Sequence, residues 1–228
     1  MQANMQANLN INYDEKPVRL FKSDFLEFFT HVHPAVVPIV WLPIAAYFLY
    51  QSVATAVAGA SISAWLPLVF GLILGVVLVW TFIEYVLHRF VFHFEPKQAW
   101  LERIIFVLHE IHHVQPNCKT RLVMPPAVSI PGGILFYLLF NWLIVTVLGL
   151  PAWLSPVLAG FVLGYVAYDM MHFATHHLPM TSSLMKALKR HHMLHHFQDP
   201  HTRFGVTSPM WDYAFNTQPE KDFMKKGR

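Results

Sequence analysis

WLPLVFGLILGVVLVWTFIEYVL, from Trp65 to Leu87, holds a single charged side chain, Glu84. A helix rises ~1.5 Å per residue and bilayer hydrocarbon is ~30 Å thick, so about 20 such residues cross a membrane. The chain leaves this run directly into HRFVFH, with His88 and His93. An apolar run of membrane length that ends in imidazole decides how its surroundings are read. Three similar runs lie outward from it: Ala35 to Ala60, Ile130 to Leu150, and Trp153 to Phe173, the last carrying Asp169. Prolines 38, 43 and 156 are tolerable in such helices. The pattern predicts an all-α integral membrane protein of four transmembrane helices.

Composition points the same way. Of 228 residues, 55% are hydrophobic and 13% charged, roughly half the charged share of a soluble domain. The links near Ile62 and Pro151 hold neither lysine nor arginine. Four crossings then put the N-terminal segment, the loop from His88 to Ser129 and the C-terminal tail on one side. All 16 Lys and Arg fall there, and so do all 15 histidines. By the positive-inside rule that side is cytosolic, so the basic pI near 9.0 reads as an orientation signal and not as a nucleic-acid partner. The single cysteine, Cys118, excludes an intrachain disulfide and suits a reducing compartment. The polar, acidic first thirty residues do not read as a cleavable signal. MQANMQAN at the start is a short repeat, and KKGR at the end has the dilysine form of an ER-retrieval tail. We expect one domain over 1–228, with 1–20 a flexible tail.

The histidines sort by helix geometry. At ~100° per residue, His109, His112 and His113 share one face, as do His192, His195 and His196, and His172 and His176 lie one turn apart. Such spacings let side chains meet around a common point. His88 and His93 would diverge by about 140° on a regular helix, so they flank a break or serve two different metals. Neutral imidazole is the commonest metal ligand. Ten spaced histidines exceed the needs of one ion, so two ions with about five ligands each are expected. All-nitrogen donors suit iron, zinc, copper or nickel. Lone His31, His33 and His201 read as structural or unassigned, and His177 and His191 as supporting residues. Asp169 and Asp212, with Glu110 and Asp199, are candidates to accept the second N–H of a ligating ring. Lys119, Arg121 and Arg203 read as a basic surface at anionic lipid.

EYVLHRFVFHFEP, HEIHH followed by RLVMPP, GYVAYDMMHFATHH, and LKRHHMLHHF followed by RFGVTSPMWDYAFNT resemble the fatty acid 2-hydroxylases, in the membrane-bound fatty acid hydroxylase and sterol desaturase superfamily. The likeness runs from about Phe21 to Thr217. It implies a four-helix membrane anchor under a cytosolic helical cap that holds a histidine-ligated di-metal centre. The ligands it implies are His88, His93, His109, His112, His113, His172, His176, His192, His195 and His196. Two iron ions are the implied cofactor and O2 the co-substrate, with zinc a competitor in purified samples. The implied reaction is hydroxylation at C2 of a long-chain fatty acyl group, free or in a ceramide or other sphingolipid. The His-Pro-Gly-Gly haem motif of a fused cytochrome b5 domain is not found; IPGG at Ile130 to Gly133 lacks the histidine. The branch without that domain implies an external electron donor of cytochrome b5 or ferredoxin type, with its reductase. The endoplasmic reticulum is expected in a eukaryote and the inner membrane in a bacterium. Rival readings are a lipid desaturase, a sterol oxidase, a carotenoid hydroxylase, and a non-enzymatic metal-binding membrane protein. The last would call for polar ligands at mid-membrane depth, where none is found.

Overall fold

A computed structural model describes residues 11–219; the MQANMQAN repeat and the KKGR tail lie outside them. In hydrocarbon every backbone N–H and C=O must be satisfied within its own segment, so each apolar run becomes a helix. The described residues contain eight helices and no strand. They are α1 (Asp24–Phe28), α2 (Val36–Ala58), α3 (Ile62–Phe92), α4 (99–114), α5 (Pro126–Val147), α6 (Pro151–His177), α7 (Ser183–Phe197) and α8 (Met210–Ala214). Four of them, α2, α3, α5 and α6, are long and apolar enough to span a membrane.

Three spans reach further than the apolar runs suggest. Helix α3 continues through His88 to Phe92, α6 continues through His172 to His177, and α5 begins at Pro126 instead of Ile130. Proline at a first helical position leaves no N–H unpaired, and Pro126 occupies such a position. The histidines thus ride on the ends of the spanning helices themselves. Within the membrane α6 is the central helix. Of its most apolar window 61% is buried, against 22% for α2 and α3 and 11% for α5, so α5 is the helix most open to lipid. Trp41, Trp80, Phe161 and Tyr168 are buried in the core around α6.

Helices α3 and α6 touch backbone to backbone. Gly75 on α3 lies against Gly160 on α6, while Gly71 of α3 lies against Pro156 and Gly164 of α6 against the Trp80 side chain, a glycine every fourth residue on both helices. A Cβ at Gly75 would stand 2.4 Å from Val157 O, and one at Gly160 would stand 2.3 Å from Leu72 O. Small residues let membrane helices approach closely where no hydrophobic driving force exists between them. Gly75→Val is expected to destabilise the protein by about 3 kcal/mol, at the upper end of ordinary overpacking. Its thermal unfolding in detergent measures this, and a melting temperature equal to wild type would mean the helices can part without cost.

The described part of the expected tail, residues 11–20, is tied down. Asn12 N–H donates to Val114 O (2.8 Å), and Gln115 Nε2 donates to Asp14 O and Lys16 O (3.0 and 2.6 Å). This segment is a strap against the C-terminal end of α4, held by backbone groups that composition does not reveal. Arg121 is also not a surface residue. It is buried, paired with Glu27 at 2.7 Å, and donates to Val18 O at 2.5 Å. Arg203 is buried as well, whereas Lys119 is half exposed and lies 3.5 Å from Glu15.

Candidate metal centre

Four segments bring ten histidines together where α3 and α6 end. His88 and His93 come from the end of α3, and His109, His112 and His113 from α4. His172 and His176 come from α6, and His192, His195 and His196 from α7. They stand in two groups of five. The first is His88, His93, His109, His113 and His195; the second is His112, His172, His176, His192 and His196. Within each group the potential ligand nitrogens lie within 4.8 Å of one another.

Each helical triplet is divided between the groups, so its members do not meet at one point. Relative to residue i, residue i+4 is rotated by about +40° and residue i+3 by about −60°. The i, i+4 partners therefore converge, as in His109 with His113, His172 with His176, and His192 with His196. The i+3 members, His112 and His195, cross to the other group. His88 and His93 share a group despite their five-residue spacing, because residues 88–92 form a π-turn. His93 N–H donates to His88 O at 3.1 Å, and this i→i+5 closure brings the two rings to one side. A second π-turn at the site, Phe106–Glu110, contains His109, the first histidine of the HEIHH triplet.

The protonation pattern favours a cation. His88 Nδ1–H donates to Phe204 O (2.5 Å) and His195 Nδ1–H donates to Thr202 O (2.7 Å). A carbonyl only accepts, so both neutral rings present a bare Nε2 to the group. His93 Nε2 lies 3.3 Å from one and 3.1 Å from the other. One proton on His93 can satisfy only one of them, whereas a cation among them satisfies all three. The second group repeats the convergence. His172 and His112 Nε2 lie 2.8 Å apart, His112 and His196 3.1 Å, and His176 and His192 3.0 Å. With metal–nitrogen bonds of ~2.1 Å, neighbouring ligands stand roughly 3.0–3.4 Å apart. The donor set fits two imidazole-bound transition metals.

Burial, with the neighbouring imidazoles, holds His93, His109, His112, His113, His192, His195 and His196 well below the usual 6.5. These rings are neutral at pH 7 and ready to ligate. Unfolded, they would take up protons below 6.5, so the unfolded chain binds more protons than the folded one there. Stability of the metal-free chain is then lost as pH falls from about 6.5. The melting temperature of chelator-treated protein is expected to stay flat from about pH 8 to 7 and to fall toward about pH 5. Metal-loaded protein should melt higher at each pH but lose stability at least as steeply, because bound metal keeps the rings unprotonated in the folded state. A flat profile down to pH 5 would show that the rings are not desolvated.

His88 and His195 are oriented by backbone carbonyls, Phe204 O and Thr202 O, and carboxylates act on this pair through the loop that carries those carbonyls. Thr202 O and Phe204 O flank Arg203, whose φ of +61° is left-handed and strained for arginine. Two buried carboxylates clamp this loop. Glu84 on α3 accepts from Val206 N–H (2.5 Å), Thr207 N–H (2.8 Å) and the Thr207 hydroxyl. Asp212 on α8 accepts from Phe204 N–H and Gly205 N–H, both at 2.8 Å. Asp212 also accepts from His191 Nε2–H at 3.1 Å, so both residues support the site through the loop. Asp169 is buried and accepts from Met124 N–H at 3.3 Å. His177, His31, His33 and His201 stand outside both groups. Sequence reasoning missed the role of Glu84, although a lone acid in an apolar span is a signal of function.

A cavity of about 290 Å³ lies between the spans beside the histidines, near the lower limit of known ligand pockets. Its walls are almost wholly apolar and include Trp41, Trp80, Phe136, Phe161 and Tyr168. A cavity of about 20 Å³ adjoins it, sharing Phe92, Leu108, Met124 and Tyr168, and reaches His109, His112, His172 and Asp169. The apolar slot is thus separated from members of both histidine groups by no more than this shared layer of side chains.

Known proteins resemble this chain in sequence and in fold. Residues 73–217 match the fatty acid hydroxylase family model. The chain is 38% identical over 201 residues to a dihydroceramide fatty acyl 2-hydroxylase of Arabidopsis thaliana, covering 88% of this chain and 80% of that protein. It is 35% identical to the fatty acid 2-hydroxylase of Homo sapiens, covering 96% of this chain and 63% of that one. A solved structure described as full-length scs7p, with only the hydroxylase domain visible, superposes with a TM-score of 0.75 at 37% identity. That match covers 87% of this chain and 71% of the other. Two five-histidine groups, an apolar slot beside them and a family match spanning both lead to one conclusion: the chain belongs to the fatty acid hydroxylase family.

Proposed function

We propose that the protein is an O2-dependent di-iron monooxygenase that hydroxylates C2 of long-chain fatty acyl groups, chiefly those of ceramides and other sphingolipids. The observation that carries this is the apolar slot beside two all-histidine groups. The printed names of the plant and human relatives, both 2-hydroxylases, support it. The ten grouped histidines are the proposed ligands, five to each ion. When bound, the metals supply the redox chemistry and O2 activation that side chains cannot. The reaction balances as R–H, O2, two electrons and two protons giving R–OH and water. The electrons come from a separate donor of cytochrome b5 or ferredoxin type, served by its reductase.

The chain's own residues supply position. His88 and His195 are held in one tautomer by the 202–204 carbonyls, so their lone pairs point into the first group. The apolar slot holds the acyl tail in a membrane-like environment, which leaves C2 at the end of the slot nearest His109, His112 and His172. Selecting one unactivated C–H can come only from such positioning. We further propose that 1–228 works as one hydroxylase domain with its histidine end in the cytosol, at the endoplasmic reticulum in a eukaryote or the inner membrane in a bacterium.

Expression in a host lacking 2-hydroxy lipids, under ¹⁸O2, tests this by mass spectrometry. One ¹⁸O at C2 of acyl chains is the expected result, and recovery of stripped protein by ferrous iron but not zinc identifies the metal. A new double bond, or an oxidised sterol or carotenoid, would overturn the substrate and reaction assignment.

A further inference from the structure

We propose that Gly132 sets how long an acyl chain the protein accepts, by holding side-chain space open along the path of the tail. This rests on the acyl-hydroxylase reading above. The slot begins next to the small cavity beside the histidines and runs along the first half of α5. Its wall includes Val91, Val128 and Leu135, which are 38%, 37% and 65% exposed. The slot therefore reaches the lipid-facing surface between α3 and α5, where a tail longer than the slot can pass into the bilayer.

Two adjacent glycines on this wall are there for different reasons. A Cβ at Gly133 would stand 2.4 Å from Cη2 of Trp41, so the packing of that indole requires the glycine. A Cβ at Gly132 meets no heavy atom within 4 Å, and Gly132 has no positive φ. Glycine inside a helix is destabilising relative to alanine, and neither the packing nor the backbone calls for one at 132. The residue lines the slot, so the space it leaves is space for a ligand. By helical rise it lies ~9 Å along α5 from Pro126, beyond the head group and at mid-tail. A side chain there would obstruct long tails and leave short ones room.

The test compares wild type with Gly132→Ala, Gly132→Val and Gly132→Leu, each supplied with a mixture of short and very long acyl chains. The ratio of very long to short 2-hydroxy products is expected to fall stepwise with side-chain size. For leucine the fall should be at least roughly tenfold, the scale on which a pocket discriminates by steric fill, with metal content unchanged. Ile134→Phe, on the exposed side of the same helix and off the slot wall, should keep the wild-type ratio. A metal-replete Gly132→Leu protein with the wild-type ratio would overturn the inference and leave the hydroxylase reading intact. If wild type makes no 2-hydroxy acyl product, that reading fails and this inference fails with it. A second measurement needs no variant. A very long acyl probe with a diazirine at mid-tail should label the α5 peptide around Gly132 in the wild-type protein, and labelling only elsewhere would equally overturn the proposal.

Discussion

His112→Ala is expected to lower bound metal from two ions per chain to about one and to lower product by at least a hundredfold. His112 is the hub of its group, with its Nε2 2.8 Å from that of His172 and 3.1 Å from that of His196. Losing a residue that merely supports a ligand already costs roughly 10–100-fold in affinity or activity, so that range is a floor for the ligand itself. The informative partner is His109→Ala. It lies three residues away on the same helix but belongs to the other group, and it too should retain about one ion. In His112→Ala the retained ion sits among His88, His93, His109, His113 and His195; in His109→Ala it sits among the other five. The groups adjoin through the stacked rings of His113 and His196, whose centroids are 3.9 Å apart, so the spectra of the retained ions should differ. Metal per chain by elemental analysis, with X-ray absorption of the loaded proteins, reads this directly. If each variant loses both ions, the ten histidines are one coupled cluster and the division into fives is wrong.

Much of this site is legible in the sequence because helix periodicity is local. The three i, i+4 pairs can be found without any tertiary information, whereas His88 and His93, which also stand in the groups, have a spacing that predicts divergence. Assigning them between groups is not local. His112 and His195 cross over because α4 and α7 meet α6 and α3 at particular angles, and no spacing rule encodes those angles. The His88 to His93 pairing depends on a π-turn, a one-residue insertion in helical register that ordinary α periodicity misreads as divergence. The close contact of α3 and α6 was written in Gly71, Gly75, Gly160 and Gly164, yet glycines in an apolar run look like ordinary membrane composition until their four-residue spacing is noticed. Arg121 was misread for the opposite reason. Its partner Glu27 is 94 residues away, and composition offers no way to foresee a buried ion pair across that separation.

Asp212→Asn is expected to loosen the metal of the first group by roughly 10–100-fold while leaving the second group unchanged. Four donors converge on two oxygens. Oδ1 accepts from Phe204 N–H (2.8 Å) and Thr217 Oγ1–H (2.7 Å), and Oδ2 accepts from Gly205 N–H (2.8 Å) and His191 Nε2–H (3.1 Å). Gln218 Nε2 donates to His191 Nδ1 at 3.0 Å, which keeps the His191 proton on the nitrogen facing Asp212. Asparagine has nearly the same shape, but one acceptor becomes an NH2 group set against two donors, and an unsatisfied buried donor is costly. The strained turn at Arg203 then loses one of its two clamps, and the carbonyls of Thr202 and Phe204 no longer fix His195 and His88. Both of those rings belong to the first group. A chelator challenge followed by elemental analysis should therefore strip one ion from the variant well before the other, with activity falling alongside the first. Burial alone would raise the Asp212 carboxyl, but the hydrogen bonds from His191, Thr217, Gly205 and Phe204 outweigh it and hold the group below its usual 3.8. The clamp is therefore intact above about 3.8 and is lost only as pH falls through the lower folded value. Wild type and variant should differ throughout the neutral range and converge only in strong acid. Equal loss of both ions in the variant would mean that Asp212 supports the fold at large and not the orientation of His88 and His195.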